Sequence, residues 1–176
     1  MSGAGRLVSL IGMPGGGKTT AGKELARRRG NLFVDSDKEI ELRTGCSIAS
    51  LFERDGEAAF RDLEAATLAR LVDSDCGVIA TGGGAVLRAE NRELLHRRTF
   101  CVYLHASPEF LWRRLRRDRR RPLLQVADPR ERLREMSAAR EPLYRETAHI
   151  VVDINDLPLQ RLVDDILRQV DPERMQ

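Results

Sequence analysis

The chain has 176 residues, of which 41% are hydrophobic and 32% charged, and its formal net charge is +3. Those values exclude a disordered chain and leave no room for a second catalytic domain, so one globular domain with a full-sized core is expected. The modest positive balance fits a nucleotide enzyme or weak nucleic-acid affinity alike.

Met1 to Arg6 is small and polar, and the apolar run that follows is far too short for a signal-peptide core or a membrane span. A soluble, cytoplasmic protein without membrane partners is therefore expected. Cys46, Cys76 and Cys101 are odd in number and lack metal-like spacing, which favours a reducing compartment over a disulfide framework.

The first element, Leu7–Ile11, reads as a buried strand. It leads into Gly12-Met13-Pro14-Gly15-Gly16-Gly17-Lys18-Thr19, a complete P-loop, and then into an amphipathic helical stretch. Each position has a physical task there. Glycines let the backbone N–H groups point inward at an anion, and the helix that follows offers its positive end. Lys18 reaches the β- and γ-phosphates, and the Thr19 hydroxyl ligates Mg²⁺. ATP and Mg²⁺ are the expected ligands.

Leu32–Asp35, Gly77–Thr81, Thr99–Leu104 and Ile150–Asp153 read as further strands separated by amphipathic segments. The alternation predicts an α/β fold of three layers, with a central five-stranded parallel sheet flanked by helices on both faces. Ligands in such sheets bind beyond the carboxyl ends of the strands. The P-loop, Asp35-Ser36-Asp37 and Gly82-Gly83-Gly84 each follow a strand, so they are expected to meet on one rim.

Two departures interrupt the alternation. From about Asp37 to Val72 the helical pattern is too long for one crossover helix and breaks near Gly45 and near Asp55-Gly56. This predicts an inserted helical subdomain, at about 37–72, that holds a second substrate. After a helix starting near Ser107-Pro108, a dense arginine cluster runs into Pro122, which disfavours helix at Arg121 and predicts a lid at about 115–129. Leu157 to Val170 has the spacing of a packing helix.

Phosphoryl transfer needs an aligned acceptor, a metal on the donor phosphates and positive charge around the moving group. Val78-Ile79-Ala80-Thr81-Gly82 supplies no metal-binding carboxylate, so Asp35 at the end of the second strand takes that place, directly or through water. Asp37 is set to accept a hydrogen bond from an acceptor hydroxyl, or to serve as a helix N-cap, as Ser36 also can. His96, His105 and His149 form no nucleophile or metal constellation. Phe52 and Phe60 read as packing residues of the insertion.

The P-loop, Val34-Asp35-Ser36-Asp37, Phe60-Arg61 with Glu64, Gly82-Gly83-Gly84, Arg121-Pro122-Leu123-Leu124 and Arg140-Glu141-Pro142-Leu143-Tyr144 together resemble the motif series of shikimate kinases, in order and spacing. The resemblance extends from about Leu7 to Val170 and implies a single P-loop kinase domain, shikimate as the small-molecule partner, and no nucleic acid. It implies that Gly15, Gly16, Gly17, Lys18, Thr19 and Thr20 bind ATP phosphates, that Thr19 and Asp35 serve the metal, and that Arg114 stacks on adenine. Asp37 would contact the hydroxyl that receives phosphate, and Arg61 and Arg140 would hold the substrate carboxylate. Gly82, Gly83 and Gly84 would face the substrate ring, and Arg121 would neutralise charge at the phosphates. In many relatives a basic residue after the last strand approaches the adenine, whereas here Asn155-Asp156-Leu157 offers none. A monomer is expected.

The nearest rival is another small-molecule kinase, of gluconate or of a nucleoside monophosphate; Arg61, Gly83 and Arg140 suit a small polyhydroxylated carboxylate, which argues against the nucleoside monophosphate. A nucleic-acid-binding protein that uses the arginine cluster would need a stacking platform near it, and the sequence has none there.

Overall fold

The computed structural model describes residues 5–118 and 125–175. All five expected strands form: β1 (Val8–Ile11), β2 (Phe33–Asp35), β3 (Val78–Ala80), β4 (Phe100–His105) and β5 (Ile150–Asp153). They make one parallel sheet in the order β2-β3-β1-β4-β5. Strand ends differ from the expected ones by a residue: β4 runs on to His105 because that residue still pairs with Asp153.

β1 lies in the middle, Val8 standing opposite both Val78 and Phe100. All four of its residues are buried, as the near-continuous apolar run requires of a strand covered on both faces. Its one polar side chain, Ser9, is satisfied by a 2.6 Å hydrogen bond with the Thr99 hydroxyl. On the sheet edge, β5 alternates between partly buried and exposed residues.

Helices α1 (Lys18–Arg29) and α7 (Leu159–Val170) pack together on one face. On the other lie α3 (Ile48–Val72), α4 (Ala89–Arg98) and α6 (Pro129–Thr147), with α5 (Pro108–Leu115) against α6. Ser107 caps α5 by accepting from the Phe110 N–H, and Asp128 caps α6 in the same way from Glu131.

The helical insertion consists of α2 (Ser36–Thr44) and α3. Its breaks fall at the expected glycines: Gly45 closes α2 at φ 68°, and Gly56 interrupts α3 with φ 84° and ψ 170°. Both angles lie in the left-handed half of the map, where a side chain is strained. Ile40, Leu51 and Phe60 form a small core of their own here, apart from the main core around the sheet. Residues 119–124 of the segment assigned to a lid, with Arg121, lie outside the described residues.

Arg29, only 4% exposed, ties the base of the sheet to the C-terminal segment. Its guanidinium donates to Asp171 at 2.8 Å and to the carbonyls of Gly77 and Arg6 at 3.1 and 2.8 Å. Removing one partner of such a pair strands a buried charge. Arg29→Met is expected to cost about 3–5 kcal/mol in urea denaturation. Arg27→Ala, at an exposed pair with Glu24, should leave the midpoint nearly unchanged.

Candidate active site

The phosphate loop follows directly from β1. Gly17, at φ 76°, is the N-cap of α1 and offers no side chain to the helix, so the first N–H groups of α1 face the cleft without a side-chain cap. Gly15 also takes a positive φ of 81°, and a Cβ there would lie 2.8 Å from the Leu115 side chain. Lys18 curls back over the loop, its ammonium donating to the carbonyls of Gly12 at 2.6 Å and Met13 at 3.0 Å. It is 9% exposed, so its charge is aimed into the cleft rather than spread into solvent.

Asp35 joins this loop to the next one. Its Oδ1 accepts from the N–H groups of Asp37 and Lys38, at 3.0 and 3.1 Å, and Oδ2 accepts from the Thr19 hydroxyl at 2.7 Å. The α2 cap is thus Asp35, and the capping role considered for Asp37 and Ser36 does not hold. Ser36 instead uses its hydroxyl to accept from the Gly82 N–H at 3.2 Å, stitching the loop after β2 to the loop after β3.

Asp37 is released from capping and points inward. Its Oδ1 is buried without a hydrogen-bond partner among the described residues. Burial, and next the adjacent Asp35 carboxylate, push its pKa above the ordinary carboxylate range, against the pull of Lys18 and Arg61. A carboxylate left in that state lacks a donor that only a ligand or solvent can supply.

Beyond Asp37, guanidinium groups replace phosphate-loop chemistry. Arg61 donates to Glu64 at 2.7 Å, and Glu64 is 1% exposed. Burial raises the Glu64 pKa, and Arg61 holds it down in opposition, with Arg140 also near enough to act. The Arg61 guanidinium lies over the rings of Phe60 and Phe52, at 5.3 and 5.8 Å from their centroids. Its Nε is buried and unpartnered among the described residues. Gly84 leaves room beside it: a Cβ there would displace this guanidinium. Tyr144, fully buried on α6, donates its hydroxyl to the Gly83 carbonyl at 2.6 Å.

A cleft of roughly 520 Å³ opens on this rim, lined by residues from Pro14 to Thr20 and by Asp35, Asp37, Gly82, Gly83 and Arg114 among others. Arg61, Gly84 and Arg140 do not line it; Arg61 lies near enough to act on Asp37, and Arg61 and Arg140 both act on Glu64 and Tyr144. Arg114 sits beside Gly17 and over the Phe110 ring. Asn155 is engaged in accepting from the Ser107 N–H at 3.0 Å. Tyr144 stood in the quoted motif without a role; its signal was its place one helical turn after Arg140, hence on the same face.

A phosphate cradle after the central strand, sharing one cleft with a carboxylate whose inner oxygen is buried and unpartnered, defines a P-loop small-molecule kinase. The family model for shikimate kinase matches residues 14–171. A shikimate kinase of Burkholderia pseudomallei is 50% identical over 164 residues, covering 93% of this chain and 89% of the other. One of Paracidovorax citrulli is 53% identical over 147 residues, 82% of this chain and 80% of that one. The solved shikimate kinase of Acinetobacter baumannii, in complex with shikimate, is 42% identical and superposes with a TM-score of 0.91 over 97% of this chain and 96% of its own. The chain belongs to the shikimate kinase family.

Because its pKa is raised in the folded state, Asp37 gives full stability below the ordinary aspartate value of 3.8 and loses it as pH rises through the raised value. Asp37→Asn is therefore expected to move the urea midpoint upward at neutral pH, with the gap to wild type closing on acidification. Equal midpoints at neutral pH would contradict the burial argument.

Proposed function

We propose that this protein transfers the γ-phosphoryl group of MgATP to the 3-hydroxyl of shikimate, giving shikimate 3-phosphate and ADP. The observation that carries the reading is the Asp37 carboxylate, buried with an unpartnered oxygen between Lys18 on the phosphate side and Arg61 on the acceptor side. A hydroxyl placed there donates to Asp37 while it faces a phosphate held by the loop.

The chain's own groups divide the work. Gly15, Gly16, Gly17 and Thr20 supply the cradle, and Lys18 sets its ammonium against the transferring phosphate. Asp37 aligns the acceptor hydroxyl, and its raised pKa suits it to take the proton as the new P–O bond completes. Arg61 and Arg140 take the shikimate carboxylate as a bidentate anion, and Gly82, Gly83 and Gly84 let the ring approach the backbone. Arg114 meets the nucleotide at the loop, and Arg121 is assigned to the phosphates by its motif.

The Thr19 hydroxyl and Asp35 carboxylate, in contact at 2.7 Å, are hard oxygen donors of the kind Mg²⁺ takes. With Asp35 Oδ1 committed to capping α2, its Oδ2 is the oxygen left to serve the ion or its water. When bound, Mg²⁺ supplies charge neutralisation to the donor phosphates. The family's motif series is complete within this chain, so we read the active unit as the monomer; no described helix is long and apolar enough to cross a membrane.

A coupled assay for ADP, run with shikimate, gluconate and nucleoside monophosphates in parallel, is expected to show turnover with shikimate. Intact MgATP binding without shikimate-dependent turnover overturns the reading. Lys18→Ala and Asp37→Asn should each lower kcat at least about 100-fold. Arg140→Ala should raise KM for shikimate with a smaller change in kcat, and an unchanged KM would remove Arg140 from the site.

A further inference from the structure

The loop Gly82-Gly83-Gly84 has all three carbonyls and one N–H accounted for. The Gly82 N–H goes to Ser36, the Gly82 carbonyl accepts from Ala85, and the Gly84 carbonyl accepts from Leu87. The Gly83 carbonyl accepts from the Tyr144 hydroxyl at 2.6 Å. The Gly83 and Gly84 N–H groups donate to no described residue and are left to meet a ligand.

Tyr144 is well placed to set that geometry. Its ring stacks on Tyr103, centroids 4.9 Å apart, and Tyr103 pairs in register with Ile11 at the foot of the phosphate loop. Arg140 lies one turn earlier on the same face of α6, with its guanidinium beside the Tyr144 hydroxyl. A phenol hydroxyl donates one proton and still accepts, so it can hold a carbonyl and receive a guanidinium N–H together.

We propose that Tyr144 is a positioning residue for shikimate, its hydroxyl fixing the Gly83 backbone and the Arg140 guanidinium as one unit. This rests on the function proposed above. The inflexible ring, braced on the sheet, transmits the position of the phosphate loop to both acceptor contacts. Shikimate then meets a backbone N–H and a carboxylate clamp already set at the correct separation from Lys18.

The test is steady-state kinetics of Tyr144→Phe, which keeps the stacking ring and removes the hydroxyl. Shikimate KM is expected to rise about tenfold, with KM for MgATP unchanged and kcat reduced less. Tyr103→Phe, which removes the other tyrosine hydroxyl of the chain, should leave shikimate KM unchanged. Arg140→Ala should cost less when combined with Tyr144→Phe than in wild type, because the two groups act together. Unchanged shikimate KM in Tyr144→Phe, equal rises in both substrates' KM, or independent costs at the two positions overturns the proposal while wild-type turnover leaves the function intact. Absence of wild-type turnover with shikimate overturns the function itself. Circular dichroism checks the fold, and if Tyr144→Phe melts near the assay temperature, direct shikimate titration in the cold gives the same comparison.

Discussion

The pairing of β1 between β3 and β4 is the arrangement on which the rest of the site depends. Parallel strands end on the same side, so three loops that follow β1, β2 and β3 arrive on one rim without any contact between them having to be selected first. Short hydrogen bonds then lock the three loops to each other: Thr19 to Asp35, and Gly82 to Ser36. The phosphate side of the site is therefore as stiff as the sheet itself. The acceptor side is built differently, from the long insertion and from α6, which reach over the rim and carry their own packing.

Charge is distributed to match that division. Asp35 caps α2 with one oxygen and holds the Thr19 hydroxyl beside the other. Two residues on, Asp37 has the same side chain and the opposite state, buried and short of a partner. Glu64 is buried as well, but Arg61 answers it at 2.7 Å, so its charge orients a guanidinium rather than waiting for a ligand. Three carboxylates within one site thus do three jobs, and environment alone separates them. The destabilisation from leaving Asp37 unpaired is offset by the surrounding fold, a common compromise where activity and stability compete.

Much of this was legible in the chain. The strands were visible because a sheet covered on both faces demands continuous apolar runs, and the breaks in the insertion were visible because Gly45 and Gly56 are the residues that tolerate positive φ. The phosphate loop was legible as a local motif, each residue acting on the same few backbone atoms. The cap of α2 was not, since Asp35, Ser36 and Asp37 all have the chemistry of a cap where the helix begins; only the direction of each side chain distinguishes them. Tyr144 was out of reach for a related reason. Its partner Gly83 is 61 residues away, and nothing local at either position records the bond.

Strand order also bears on how the chain becomes competent. Val8 must find Val78 and Phe100, distant in sequence, before the central sheet exists, and non-local pairings of this kind are slow to form. The loop between β1 and α1 is local and can take shape with its own strand and helix. Docking of α6, which brings Tyr144 onto Gly83, closes a much longer loop. A partly folded chain can therefore own a phosphate cradle before it owns an acceptor pocket. Nucleotide binding and phosphotransfer would return at different stages of refolding, and catalysis serves as the marker of the finished fold.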